Sequence, residues 1–381
     1  MKILVIGAGK MGGALVQDLA RNPRVTKITV ADRDEQLARA AAGRVRERDG
    51  LVGAAVIDAA DESSVARVMH GHDAAVGAAD YRFNETLARL AIAGRLHFCD
   101  LGGNNTVVGK ELAMDAAARA AGVTIVPDCG LAPGMVSVLV AHGLRDLERA
   151  DTVSIRVGGL PVKPVGPLRY QLVFSVRGLT NEYLEPAVVL RNHELSTVPS
   201  LTEVEELEFP SPFGKLEAFQ TSGGTSTLPT TFREKVRDLD YKTIRYPGHC
   251  ALMKFLGDLG MLSEAPIAVG RQEVVPREVT EAALVRHLPH EGADAVLVRV
   301  HVDGTTSGRR VRRRYQCVEY GAGSLTAMMR MTAFPASIIV QMMADGTITQ
   351  RGAVPQELAV PPDAFLVELR RRNIQVEVTQ E

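Results

Sequence analysis

The sequence predicts an α/β chain: a doubly wound parallel sheet followed by a second, α+β domain with a mixed or antiparallel sheet. Three observations predict it. Residues 2–13 read KILVIGAGKMGG, an apolar run that ends in closely spaced glycines. Apolar strand-like runs and helix-like runs then alternate to about residue 150. Beyond residue 151 the runs become short and acquire period two.

In order, residues 3–6 form an unbroken apolar run, as a strand covered on both faces does. Gly7, Gly9 and Gly12 follow in G-x-G-x-x-G spacing, and a helix is predicted from about 11 to 22. Residues 27–31 form the second strand, which ends in Asp32, and a third precedes Asp58. The fourth strand is 73–79, a helix 83–93, and the fifth strand 97–101. One helix is predicted over 106–121, with Gly122 as its stop, then a sixth strand over 123–127. Pro133 is expected in the first turn of a helix reaching about residue 147. This rhythm, opened by the glycines, is that of the Rossmann fold. In the second half, strands are predicted at 152–157, 185–190, 295–302 and 310–320. Val296, Val298, Val300 and Val302 alternate with Leu297, Arg299, His301 and Asp303, as in a half-buried antiparallel strand. Gly304 and Gly308 mark the turn. An apolar, Met-rich helix over 324–344 is expected to return to the first domain. The expected organisation is 1–150, 151–322, and a returning segment 323–381.

The glycine turn points to a dinucleotide. Gly7 permits the tight turn, Gly9 lets a pyrophosphate approach the backbone, and Gly12 lets the helix pack on the strand. The helix that starts behind Ala8, Lys10 and Met11 offers free N–H groups to phosphates. Asp32 lies about 20 residues on, where a carboxylate takes the ribose hydroxyls and repels a 2′-phosphate. NAD is therefore the expected cofactor. Arg33 is placed to stack on adenine or to reach a phosphate, Asp58 to meet the adenine amine or simply to end its strand, and Ala78 and Ala79 to line the cofactor at the end of the fourth strand.

Composition narrows the field. The 381 residues suffice for two domains, and a formal net charge of −1 gives no field for nucleic acid or anionic membrane. Arg309 to Arg314 reads as the charged side of a hairpin strand, since no aromatics interleave it. No basic, apolar leader and no apolar run approaching a membrane span is expected. Cys99, Cys129, Cys250 and Cys317 lack C-x-x-C spacing and read as reduced thiols of a cytoplasmic protein. His287, His290 and Glu291 sit in a loop-like stretch and are not expected to hold a metal.

Several segments together resemble the saccharopine dehydrogenase family, and within it the lysine 6-dehydrogenase branch. They are DYRFNETLARLAI (80–92), FCDLGG (98–103), PDCGLAPGM (127–135), GGLPVKP (158–164), LEAFQTSGGTSTL (216–228), LDYKTIRYPGH (239–249) and ITQRG (348–352). The resemblance implies a Rossmann domain closed by the C-terminal segment, and a middle domain for substrate and homodimer or higher homo-oligomer contacts. It also implies oxidation of the side-chain amine of L-lysine with NAD. Saccharopine enzymes tend to carry an acidic residue where this chain has Ala132, a departure that favours the lysine branch. Cys129 replaces an aliphatic residue of that branch and reads as a small buried side chain.

Amine chemistry fits the residues. Hydride leaves only beside a neutral amine, and a free lysine ammonium has a pKa near 10.4. Asp100 is the first candidate to orient or deprotonate the amine, Asp128 the second, and Tyr81 a hydrogen-bond partner. Each Asp is equally readable as a strand-end carboxylate that caps the next turn. Arg245 is the candidate for the substrate α-carboxylate, through its planar fork. Tyr241 and Thr243 share its face if the segment is extended, while Lys242 and Ile244 point away. The Gly-Gly of TSGGTSTL suits close approach of a ligand, with Thr225 and Thr227 as donors, or a plain turn. Two alternatives stand beside the lysine reading: a saccharopine reductase-like enzyme, and a non-catalytic NAD-binding sensor.

Overall fold

The computed structural model describes residues 1–381. They form two compact units, Met1–Arg145 with Met329–Ile374, and Asp146–Met328 with Gln375–Glu381. Residues 323–381, expected as one returning segment, are thus shared between the units.

The first unit is built on seven parallel strands. Across the sheet they run Gly352–Ala353, Thr124–Val126, His97–Asp100, Ala74–Gly77, Lys2–Ile6, Lys27–Asp32 and Val52–Val56. Every neighbouring pair is parallel. The chain starts in the middle, builds one half, and then crosses to build the other. Lys2–Ile6 and Ala74–Gly77 therefore flank the point where strand order reverses, and ligands of such sheets bind beyond the carboxyl ends there. Ile3, Leu4 and Val5 have no exposed surface, as an apolar run covered on both faces requires.

Two helices differ from the sequence expectation. The single helix expected over 106–121 is two, Asn105–Leu112 and Asp115–Ala121. The break comes where the Asp115 carboxylate turns to accept the Ala353 N–H of the edge strand at 3.1 Å. Gly122 ends the second helix in the left-handed conformation, as expected. Pro133 does not open the next helix, which runs Val136–Leu144. Residues 132–134 are non-helical, because the backbone at Gly134 folds back onto that of Cys129, where a β-carbon would come within 2.7 Å.

The second unit carries a nine-stranded mixed sheet. Its main path is Glu205–Phe209, Gly214–Gln220, Val236–Arg245, Arg149–Pro161, Asp294–Thr306, Arg309–Tyr320 and Glu377–Gln380, with Ala187–Arg191 and Glu194–Val198 branching from Val236–Arg245. Only Val236–Arg245 with Arg149–Pro161 is parallel. The expected hairpin forms with Gly304 opposite Val311. Its four alternating valines are fully buried, and Arg299, His301 and Asp303 are half-buried. The chain's last strand pairs with the Arg-rich strand. The Met-rich helix runs Ala327–Ala344, and both oxygens of Asp294 accept its first N–H groups. By length and composition it could cross a membrane, but 83% of it is buried inside the protein, and Arg330, Ser337 and Gln341 interrupt its apolar run. Met331 and Met343 are core filling there.

Candidate functional site

In the first unit, strand Lys2–Ile6 feeds the glycine turn and helix Lys10–Leu19 follows. A β-carbon on Gly12 would lie 1.8 Å from the Gly7 carbonyl oxygen, so this position needs glycine for helix–strand packing. A β-carbon on Gly9 would meet nothing within 4 Å. The chain leaves open space above Gly9, as an approaching pyrophosphate requires. No side chain caps this helix and its first turn holds no acid, so the N–H groups of Lys10 and Met11 keep their positive end. Asp32 ends its strand facing the turn. One oxygen accepts from Ala8 N at 2.6 Å and the other from Asp34 N at 3.0 Å, which fixes the carboxylate's direction. Arg33 is exposed, and Asp58 is exposed with its carboxylate on Ala60 N at 2.9 Å, the strand-end turn weighed for it. Ala78 and Ala79 follow strand Ala74–Gly77, half-buried. These residues fit a dinucleotide.

The carboxyl ends of the next strands bring Asp100 and Asp128 together. Asp100 Oδ1 accepts from Gly102 N at 2.6 Å and from Asp128 N at 3.3 Å, the turn-capping geometry weighed as the alternative to catalysis. Both carboxyls are closed to solvent. A third stands with them that the sequence reading missed. Glu111, on helix Asn105–Leu112, is fully buried. Burial first, then the neighbouring Asp100 charge, pushes Glu111 up to about 11, so it is protonated across neutral pH. Burial also raises Asp100. The available signal was spacing: Val108 and Glu111, three apart, share the buried face of that helix. Tyr81 is half-buried, with its ring against Gly103. Cys129 is fully buried, and its Sγ donates to Val126 O at 3.2 Å. Burial raises its thiol well above the usual range, so it is no nucleophile.

In the second unit, strand Val236–Arg245 turns Tyr241, Thr243 and Arg245 to one face, as expected. Lys242 and Ile244 go to the other. Lys242 Nζ donates to Glu205 at 2.8 Å, and Ile244 packs with Leu160 and Phe213. Arg245 is 3% exposed. Its Nε donates to Tyr183 Oη at 3.2 Å and its Nη1 to Ile244 O at 2.9 Å, and the guanidinium lies 4.8 Å from the Tyr170 ring centre. It makes no ion pair within the chain. Tyr183 Oη meets His249 Nε2 at 2.9 Å, and His249 Nδ1 meets Leu168 O at 2.9 Å. Burial, aided by the Arg245 charge, lowers His249 to about 3, so the imidazole is neutral. Thr243 shares a 2.7 Å hydrogen bond with Thr221.

Tyr170, Glu182, Tyr183, Thr221 and His249 were missed by sequence reasoning. Leu179 and Tyr183, four apart, mark the buried face of helix Val176–Leu184 and place Glu182 beside it, a signal that was present. The Gly-Gly loop serves a different close approach from the one expected. A β-carbon on Gly224 would lie 2.4 Å from the Tyr241 ring, so the glycine makes room for that phenol. Thr225 is buried and its hydroxyl donates to Val188 O at 3.1 Å, so the donor role expected of it is filled within the chain. Thr227 stands at the start of the short helix Leu228–Thr231.

Residues 3–126 match the Saccharopine dehydrogenase NADP binding domain, and residues 130–374 the Saccharopine dehydrogenase C-terminal domain. The chain is 22% identical to the saccharopine dehydrogenase [NADP(+), L-glutamate-forming] of Pyricularia oryzae, over 91% of this chain and 92% of that protein. It is 22% identical to the mitochondrial alpha-aminoadipic semialdehyde synthase of Mus musculus over 72% of this chain, and spans 30% of that protein. Its fold is that of apo saccharopine dehydrogenase (L-Glu forming) from Saccharomyces cerevisiae, with a TM-score of 0.82 at 19% identity over 100% of this chain and 99% of that one. The chain is a pyridine-dinucleotide oxidoreductase and belongs to the saccharopine dehydrogenase family.

Proposed function

We propose that this chain is an NAD-dependent L-lysine 6-dehydrogenase, which oxidises the ε-amine of L-lysine and releases ammonia. The product is 2-aminoadipate 6-semialdehyde, which cyclises to 1-piperideine-6-carboxylate. The observation that carries the reading is Arg245: a guanidinium almost wholly buried, without an ion pair in its own chain. A buried charge without a partner is costly, and a substrate α-carboxylate is the partner it suits. Bound at Gly7–Gly12 and Asp32, the dinucleotide supplies the hydride acceptor. The chain's own residues would handle the proton. Asp100 and Asp128 are the candidates to accept it from the ammonium, with Tyr81 as hydrogen-bond partner and the protonated Glu111 beside Asp100.

NAD is favoured by the Asp32 carboxylate, although the matched domain and the fungal relative carry NADP in their names. A saccharopine substrate is the second reading, favoured by that relative. Its additional carboxylates would call for additional cations. The cluster around Arg245 holds one cation, since His249 is neutral and Lys242 lies on the opposite face with Glu205. Purified protein, given NAD or NADP with L-lysine, L-ornithine or saccharopine, tests both readings by NADH or NADPH absorbance. Turnover of saccharopine but not lysine would overturn the first. A homodimer or higher homo-oligomer belongs to the same proposal, and light scattering on the purified chain tests it.

A further inference from the structure

Glu182 lies on the same side of the second unit's sheet as Arg245, and its side chain has no hydrogen-bond partner and no ion pair in the chain. The two charges are near enough to influence one another, yet they do not touch. Around them stand three phenols. Tyr170 Oη is buried without a partner, Tyr183 Oη is held between Arg245 and His249, and Tyr241 sits against Gly224. A buried guanidinium beside a half-buried carboxylate would ordinarily close into a bidentate pair. Here the Arg245 fork is held back by Tyr183 and the Ile244 carbonyl, and the Glu182 backbone is held by Ser222 N at 3.1 Å. Neither charge is paired with the other, so together they offer one negative and one positive pole to a ligand with the complementary pair.

We infer that Glu182 and Arg245 form a receptor for an α-amino-acid head group, Glu182 taking the α-ammonium and Arg245 the α-carboxylate. The substrate class is thereby narrowed to α-amino acids with an amine at the far end of the side chain. Simple diamines and ω-amino acids each lack one pole. This inference rests on the proposed carboxylate role of Arg245, but not on oxidation of the ε-amine. Tyr170 Oη, the unpartnered hydroxyl nearest the Arg245 fork, is free to donate to the same carboxylate.

The groups facing Glu182 leave it as the one that titrates near neutrality. Arg245 stays charged, burial raises Tyr170, Tyr183 and Tyr241 so that they stay neutral, and His249 is neutral. Burial lifts Glu182 to about 7, against the pull of Arg245. A carboxyl half-protonated at pH 7 must ionise when an ammonium docks on it. Head-group binding therefore releases protons near pH 7.

Calorimetry on the full chain with L-norleucine, hexanoate and 1-aminopentane separates the poles without any need for turnover. Norleucine carries both poles, hexanoate only the carboxylate and aminopentane only the ammonium. Norleucine is expected to bind at least tenfold more tightly than either, with a binding heat that depends on the buffer's ionisation enthalpy. Glu182→Gln should bring norleucine to the level of hexanoate, leave hexanoate unchanged and abolish the buffer dependence. Equal affinity of norleucine and hexanoate for the unaltered chain, an unchanged ratio in Glu182→Gln, or no norleucine binding would each overturn the inference. If norleucine behaves as expected while lysine is not oxidised, the head-group site stands and the lysine dehydrogenase reading falls. If lysine is oxidised while Glu182→Gln weakens lysine and 6-aminohexanoate equally, the reverse holds.

Discussion

Replacing Arg245 by methionine separates the charge's contribution to binding from its contribution to the fold. Methionine keeps much of the stem's volume and removes the fork. A charge-assisted hydrogen bond to a carboxylate contributes about 1.5–3 kcal/mol, so KM for L-lysine should rise about 10- to 150-fold. The carboxylate is remote from the carbon that loses hydride and is held in ground and transition states alike, so kcat should change little. Stability should move the other way. Arg245 is 3% exposed without an ion pair, and its loss removes a desolvated charge at the expense of its bonds to Tyr183 and Ile244 O. Replacing buried charge by apolar volume is often neutral or stabilising, by about 1–4 kcal/mol. Calorimetry should show a Tm unchanged or raised by several degrees. Arg245→Lys should not recover full affinity, because an ammonium lacks the fork. Two results would refute the reasoning. One is a lysine KM unchanged in Arg245→Met. The other is an equal rise in KM for lysine and for cadaverine, which lacks the carboxylate.

Asp32→Ala should narrow the preference for NAD over NADP, and equal kcat/KM for the two cofactors in the unaltered chain would contradict the role given to Asp32. Activity should rise with pH into the alkaline range as the substrate ammonium loses its proton. Asp100→Asn should lower kcat more than it weakens NAD binding, and a near-normal kcat there with a low one in Asp128→Asn would reverse the assignment of the two carboxylates. Glu111→Gln should stabilise the fold, and more so at higher pH. Glu111 is lifted from 4.5 to about 11, so its neutral form stabilises the native state fully only below 4.5, and that stability is lost progressively towards 11. Gln cannot ionise, so the gain in Tm over the unaltered chain should grow from pH 5 to pH 9, and a gain that stays constant over that range would show that Glu111 is ionised in the fold.

What the sequence made legible was what local spacing encodes. The glycines and Asp32 lie within one βαβ segment, so their geometry follows from the turn itself. Period two separated Tyr241, Thr243 and Arg245 from Lys242 and Ile244, because a strand alternates its faces whatever surrounds it. What stayed hidden depends on partners distant in the chain. Glu182 comes within electrostatic reach of Arg245 across about 60 residues, and Gly224 makes room for Tyr241, which no spacing rule announces. The break before Asp115 arises from a backbone N–H more than 200 residues later. Pro133 has the composition of a helix start, but the close return of Gly134 onto Cys129 overrides the local preference.

The first unit is interrupted by the second, and this has a consequence for biosynthesis. Its central strands leave the ribosome early, but the strand Gly352–Ala353 that finishes its sheet and the helix Ala327–Ala344 that fills its core emerge only after roughly 230 further residues of chain. At about 5–20 residues per second, that is a delay of about 10–45 s. Through that interval the strand Thr124–Val126 is an open edge beside uncovered apolar surface, a template for pairing with another nascent chain. The intervening unit has all but its last strand by residue 320 and is the first able to close. Order of synthesis and order of folding are therefore inverted for the first unit, whose early strands must wait for residues 329–374.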